Sequence, residues 1–164
     1  MLINLIGFQI CWLGLVYFGN FFSPVAILLV CIHIHKQLNR WQEFKLILST
    51  LCIGIVIDGL LTINNVFIFT TSAFIPFWLI MLWACFAATL SHSLKILKHS
   101  ILLQALVGAV IAPFSYIAGH KLGAVEFTYS LLITYLILSL IWGPLLVLLF
   151  RLEKWFTENK RNVL

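Results

Sequence analysis

Asp58 is the residue of this sequence whose type and position are best suited to chemistry. It is the one acid well inside an apolar stretch, in the segment GIVIDGLL. An ionised carboxylate in hydrocarbon is costly, so Asp58 must be protonated, paired with a partner or in contact with water in a cavity. Asp58 is therefore a candidate general base or hydrogen-bond anchor. A structural role, in which Asp58 only joins neighbouring helices, is the alternative.

Other polar residues are predicted to lie at a similar depth, towards the same side of a membrane. Tyr116 is a second candidate catalytic residue, because its hydroxyl could donate a proton to a substrate. Lys121 and His120 are expected to contact an anionic head group. The other predicted ligand-binding residues are the polar side chains Asn20, Thr62, Asn65 and Ser115.

Histidines near the opposite ends of the apolar stretches raise the alternative of a metal or haem site. They are His33, His35, His92 and His99. His33 and His35 are two residues apart, so on a helix they point in different directions. We expect no carboxylate inside a span to assist them, and therefore no metal and no cofactor. His92, which is followed by Ser93, is the third candidate catalytic residue.

Composition indicates that helices in a membrane hold these residues. The chain has 164 residues, of which 63% are hydrophobic and 9% charged, whereas soluble domains have roughly 25% charged residues. This excludes a water-soluble globule and a disordered chain. The motifs of nucleotide-driven pumps and soluble hydrolases are absent. We expect an all-α, polytopic integral membrane protein with no nucleic-acid partner.

Apolar stretches predict a bundle of six transmembrane helices in a single domain over residues 1–164. About 20 apolar residues cross the hydrocarbon core. The predicted spans are residues 2–19, 22–36, 44–66, 73–95, 99–119 and 127–151. One stripe on the third span is predicted to face the interior, because its residues repeat at helical spacing. They are Thr50, Gly54, Asp58, Thr62 and Asn65.

The Lys and Arg residues predict the orientation of the bundle. With six spans, nine of the ten lie on one side and Lys121 alone lies on the other. Positively charged loops stay in the cytoplasm, so both termini are expected there, in a bacterial inner membrane. Asp58 then lies towards the periplasmic side. The nine residues are Lys36, Arg40, Lys45, Lys95, Lys98, Arg151, Lys154, Lys160 and Arg161.

Four segments carry a resemblance to a known family: CWLGLVYFGN, GIVIDGLL, FWLIMLWACFAATLSHSLKIL and GAVIAPFSYIAGHKLGAV. Over nearly the whole chain they resemble small proteobacterial inner-membrane proteins grouped as a domain of unknown function. Members are often encoded near genes for membrane fatty-acid modification, so the resemblance implies a role with lipids. The positions that match the family's motifs are Asn20, Asp58, His92, Ser93, Tyr116, Gly119 and Gly123.

These observations predict a protein that binds or modifies a lipid or lipophilic molecule in a polar cavity around Asp58, open to the periplasmic side. One alternative is a substrate-binding or transport module, because size and the Gly54-x-x-x-Asp58 pattern resemble the six-span binding subunits of vitamin transporters. Another is a scaffold that joins a membrane complex through small-residue helix faces. Whether the protein is an enzyme stays open. The expected partners are membrane lipid, a lipid or small-solute ligand and another membrane protein.

Overall fold

Helices make up most of the computed structural model, which describes residues 2–70, 72 and 74–158. An apolar chain in lipid must bond its backbone N–H and C=O groups internally, and a helix does so within one segment. The described helices confirm the all-α expectation. They are α1 (Leu2–Phe18), α2 (Ser23–Lys36), α3 (Arg40–Ile63), α4 (Phe77–Leu90), α5 (Ile101–Lys121) and α6 (Leu131–Glu158).

Short elements connect these helices. Two 3₁₀ helices, Gly19–Phe22 and Ser93–His99, follow α1 and α4. Two strands of two residues each, β1 (Phe67–Ile68) and β2 (Glu126–Phe127), pair in antiparallel orientation. They join the loops that follow α3 and α5 at one end of the bundle. The sequence did not predict them, because two residues are too few for an alternating pattern to be recognised.

Within the described residues, four helical stretches are long and apolar enough to cross a membrane. A fifth is formed by α4 and the following 3₁₀ helix if this pair, bent by 59°, is one span. By length and composition the chain is therefore a multi-pass membrane protein. The four stretches are Leu2–Lys36, Arg40–Ile63, Ile101–Lys121 and Leu131–Glu158.

Contacts with α4 show that α1 runs antiparallel to it. Near the start of α1, the side-chain amide of Asn4 donates to the carbonyl oxygen of Ala88 at 3.0 Å, close to the end of α4. After α1 ends, Oδ1 of Asn20 accepts from the backbone N–H of Trp78 at 2.9 Å, at the start of α4. The two helices are therefore side by side over most of their lengths.

The chain reverses between α1 and α2, although both belong to one uninterrupted helical stretch. Gly19 has a φ of +57°, a conformation that glycine adopts without strain. Phe22 packs over Gly14, where a Cβ atom would overlap its ring. By its last turn α2 has returned to the far end of α4, where the rings of His33 and His92 are 4.9 Å apart. The first two helices are thus an antiparallel pair packed on α4.

Small residues allow close packing between the later helices. A Cβ atom on Gly54 of α3 would overlap the indole ring of Trp83 on α4. On α5, a Cβ atom at Gly108 would overlap the carbonyl oxygen of Trp142 on α6. Close approach of this kind is the usual basis of helix association in lipid. The bundle therefore consists of α1, α2 and α3 around α4, with the α5–α6 pair beside them.

Candidate functional site

Asp58 lies on α3 in the interior of the bundle and accepts two hydrogen bonds. Its exposed fraction is 0%. Oδ2 accepts from Nε1 of Trp83 on α4 at 2.6 Å, and Oδ1 accepts from the hydroxyl of Tyr116 on α5 at 3.1 Å. Each carboxyl oxygen therefore has a donor, which is what a buried acidic group requires. Three helices meet at this one side chain.

The residues one turn before and after Asp58 explain how α3 positions it. Gly54 has no side chain, so the indole of Trp83 lies directly against α3 and its N–H reaches the carboxyl group. Thr62 donates its hydroxyl to the carbonyl oxygen of Asp58 at 2.8 Å. Thr50 and Gly54 are buried as the predicted stripe requires, and Thr62 is partly buried.

The two donors to Asp58 belong to a cluster of stacked rings. The indole of Trp83 is parallel to that of Trp142 on α6, with centroids 5.1 Å apart. The ring of Tyr116 stacks on Phe67 of β1 at 5.3 Å. Trp142 is only 6% exposed, and its Nε1 lies near the hydroxyl of Tyr116 but forms no hydrogen bond of regular geometry in the described part of the chain. A buried donor of this kind is a candidate ligand contact.

The sequence did not identify Trp83 and Trp142 as site residues. Both lie well inside their helices rather than near the ends. Tryptophan in membrane proteins is enriched at the membrane–water interfaces. The positions of Trp83 and Trp142, far from the predicted helix ends, were the signal that could have identified them.

A cavity of about 510 Å³ lies against the aromatic cluster. Helices α1, α4, α5 and α6 and the loops of the β ladder provide its walls. Ten of its 25 lining residues are aromatic and most of the others are aliphatic. Its volume falls within the range of about 300–1,000 Å³ that is typical of small-molecule sites. Such a lining suits a lipophilic ligand.

The cavity opens on the outer surface of the bundle. Leu5 and Gln9 on α1 and Ile111 and Phe114 on α5 line it and are also exposed. Helix α1 packs mainly on α4, whereas α5 packs mainly on α6, and the opening lies between α1 and α5. In a membrane this opening would face the lipid side of the bundle.

Asp58 does not line this cavity, which differs from the expectation of a polar cavity around it. Trp83 and Tyr116 line the wall and lie between Asp58 and the open space. Helical spacing on α3 predicted which of its faces points inward. It could not show that rings from α4 and α5 would cover that face, because this depends on the tertiary packing.

Several predicted ligand-binding residues are engaged elsewhere. Ser115 lines the cavity and donates its hydroxyl to the carbonyl oxygen of Ala112 at 2.7 Å. Asn20 bonds the backbone of Trp78 at the first turn of α4. Asn65 is exposed in the turn after α3 and has a φ of 56°. Of these three residues, only Ser115 lies on the cavity wall.

His120 and Lys121 end α5 near the β ladder. Nδ1 of His120 lies 2.9 Å from the carbonyl oxygen of Val125 and donates to it, because a carbonyl can only accept. The imidazole stacks on Phe127 at 4.5 Å. Lys121 is exposed, and no ion pair of Lys121 is found among the described residues. The structure does not bring these two residues to Asp58.

His92 lies at the opposite end of the bundle from the β ladder, in a cluster with His33 and Glu43. Nε2 of His33 is 2.8 Å from Oε1 of Glu43, and Nε2 of His92 is 3.4 Å from the same oxygen. We expected no carboxylate inside a span to assist these histidines, and Glu43, which immediately precedes the predicted span 44–66, contacts both of them. Glu43 lies in the first turn of α3 and is 8% exposed, because its side chain turns inward. His35 is exposed, in agreement with the different direction predicted for it.

Comparison with known proteins places the chain in a family. Residues 1–148 match the family described as "Protein of unknown function (DUF2878)". The chain belongs to this family. The match confirms the resemblance to an uncharacterised family. No curated protein and no solved structure matches the chain.

The part that matches DUF2878 includes every residue described above as a site. The lining residues of the cavity run from Leu5 to Leu146, and the histidine cluster lies between His33 and His92. A further buried carboxylate, Glu153 on α6, lies beyond the matched range and binds Nζ of Lys98 at 2.7 Å.

Proposed function

We propose that this member of the DUF2878 family binds one lipophilic molecule from the membrane in the aromatic cavity between α1 and α5. The observation that carries the proposal is the cavity itself, which has about 510 Å³ of space and a lining of aromatic and aliphatic side chains. Its opening lies between two lipid-facing helices, so a molecule with an acyl chain could enter sideways from the bilayer.

Polar atoms on the wall are expected to decide which molecule is selected. An acyl chain gains little from leaving lipid for another apolar environment, because lipid tails are as apolar as the cavity. Affinity must therefore come from close packing and hydrogen bonds. Nε1 of Trp142 is buried and forms no hydrogen bond of regular geometry among the described residues, so an ester or hydroxyl oxygen of the ligand would be a better acceptor for it.

Asp58 serves as a positioning residue in this proposal. It accepts from both Trp83 and Tyr116 and so holds two walls of the cavity in place. If the bound molecule is also modified, the same atoms define a route for a proton. Tyr116 lines the cavity and donates to Asp58, so its hydroxyl could pass a proton from the ligand to the carboxylate.

We further infer that the chain crosses a bacterial inner membrane six times, with both termini in the cytoplasm. Six crossings are supported by the reversal between α1 and α2 and by the packing of both helices along α4. Among the described Lys and Arg residues, Lys121 is at the end with the β ladder and the rest are at the other end. Lys160 and Arg161, predicted to be cytoplasmic, lie outside the described residues.

The test of the proposed function is analysis of the lipids that stay with the purified protein. Ala112 lines the cavity, and Ala112→Trp should fill part of it. Val110, on the same helix, is exposed and does not line the cavity, so Val110→Trp is the matched control. We expect one lipophilic molecule per wild-type chain by native mass spectrometry, with loss in Ala112→Trp and retention in Val110→Trp.

Two results would count against this function. One is an identical lipid profile for wild type and Ala112→Trp when both are folded. The other is the absence of any lipid that exceeds its abundance in the bulk membrane extract. Recovery of a second membrane protein in place of a lipid would favour the transport-module or scaffold alternative.

A further inference from the structure

We propose that His33, Glu43 and His92 form a binding site for one divalent transition-metal ion with the ligand preference of Zn²⁺. Each residue offers one ligand atom, and these three atoms all lie within 4.8 Å of one another. Two imidazole nitrogens and one carboxylate oxygen are a ligand set that zinc accepts, with a fourth position left for water or a substrate atom.

The spacing of the ligand atoms suits an ion between them. Zinc binds imidazole nitrogen and carboxylate oxygen at about 2.0–2.2 Å, so tetrahedral ligands lie about 3.3–3.5 Å apart. Nε2 of His92 and Oε1 of Glu43 are 3.4 Å apart. Nε2 of His33 and the same oxygen are 2.8 Å apart, so small movements of two side chains would complete the geometry.

Three separate segments bring the ligands together. His33 is in the last turn of α2, Glu43 is in the first turn of α3, and His92 is in the break after α4. The two helical pieces around that break are bent by 59°. Asn4 holds the break in position, because it donates to Ala88 and accepts from the hydroxyl of Ser93. The site is therefore supported before an ion arrives.

The position of His92 leaves room for an ion between the three ligand atoms. Its Nε2 is buried and lies 3.4 Å from Oε1 of Glu43, a longer contact than the 2.8 Å between His33 and the same oxygen. A neutral imidazole with its lone pair at Nε2 would face another acceptor there. A metal cation between the three ligand atoms would accept electron density from Nε2 of His92 and also from the carboxylate oxygen. The His92 side chain is 28% exposed, which provides access for an ion.

This inference does not depend on the proposed lipid function. The cluster lies near the ends of α2 and α4 that are remote from the β ladder, and none of its three residues lines the aromatic cavity. Binding of metal and binding of lipid can therefore be tested separately.

The experiment measures metal binding by the full-length protein in detergent after treatment with a chelator. Co²⁺ is titrated first, because a tetrahedral site with nitrogen and oxygen ligands gives visible absorption bands in the wild-type chain itself. Zn²⁺ affinity is then measured by competition with a chromogenic chelator. The variants are His33→Gln, Glu43→Gln and His92→Gln. His35→Gln and His99→Gln are matched controls, since both histidines are exposed at the same end of the bundle.

We expect one equivalent of metal per chain in wild type and in both controls. Each ligand variant should weaken Zn²⁺ binding by more than about 100-fold, the upper end of the loss found for outer-shell partners. The proposal fails if folded wild-type protein binds no Co²⁺ or Zn²⁺. It also fails if the ligand variants, shown to be folded by circular dichroism, bind as tightly as His35→Gln.

Discussion

At the scale of single residues, Asp58 determines how the interior is organised. Its two oxygens accept from one side chain of α4 and one of α5, and its own helix is α3. A buried polar group must find hydrogen-bond partners within the protein. The buried carboxyl group of Asp58 therefore joins α3, α4 and α5 through two side-chain hydrogen bonds.

Replacement of Asp58 by Asn should destabilise the bundle while its volume stays the same. The amide oxygen of Asn can accept from Trp83 or from Tyr116, but its NH₂ group cannot accept from the other. One buried donor then lacks a partner, which costs about 1–3 kcal/mol. We expect a lower melting temperature in detergent and a change in tryptophan fluorescence. Glu126→Gln, at an exposed acid of β2, is the control; equal melting temperatures for the two variants would contradict the role of Asp58.

At the scale of helices, small residues decide where side chains from neighbouring helices can lie. Gly54 gives Trp83 its place against α3, and this in turn brings the indole N–H to Asp58 one turn later. The Gly54-x-x-x-Asp58 pattern therefore has a structural meaning in this bundle. The glycine admits the donor and the aspartate accepts from it.

Gly54→Ala should separate α3 from α4 or displace Trp83. The added methyl group would overlap the indole ring, and overpacking of this kind costs about 1–3 kcal/mol. Thermal unfolding in detergent and tryptophan fluorescence measure the effect. Gly7→Ala is the matched control, because nothing lies within 4 Å of a Cβ atom at that position. If both variants melt at the same temperature, the contact of Trp83 with Gly54 does not determine the packing.

At the scale of the whole molecule, the number of membrane crossings that we propose depends on the reversal after α1. A single helix over Leu2–Lys36 would place residue 20 inside the bilayer, whereas an antiparallel pair places it at the end with the β ladder. The contacts of α1 and α2 with α4 support the second arrangement.

Cysteine labelling in intact cells tests this topology. Phe21 and Leu38 are both strongly exposed, and each is replaced by Cys in a chain whose four natural cysteines are replaced by Ser. We expect a membrane-impermeant thiol reagent to label Phe21→Cys and to label Leu38→Cys only after the cells are opened. Labelling of Leu38→Cys alone in intact cells would show that the chain has the opposite orientation in the membrane. Absence of labelling at Phe21→Cys in opened cells would contradict the antiparallel pair.

Much of the helical framework could be predicted from the sequence. The predicted spans 2–19, 22–36 and 99–119 are close to the observed α1, α2 and α5. The predicted span 73–95 was less accurate, because the chain leaves the α-helix after Leu90 and bends into a 3₁₀ helix. Apolar composition does not change at that break, so hydropathy could not reveal it.

The sequence by itself determined that the chain is a multi-pass membrane protein, which segments are helical and which face of α3 points inward. These properties follow from hydrophobicity and from the 3.6-residue period of a helix, both of which are local. Only the tertiary structure decided that Trp83 and Tyr116 cover Asp58, and that Glu43 turns towards His33. Such contacts join residues on different helices, and they depend on how the helices pack against one another.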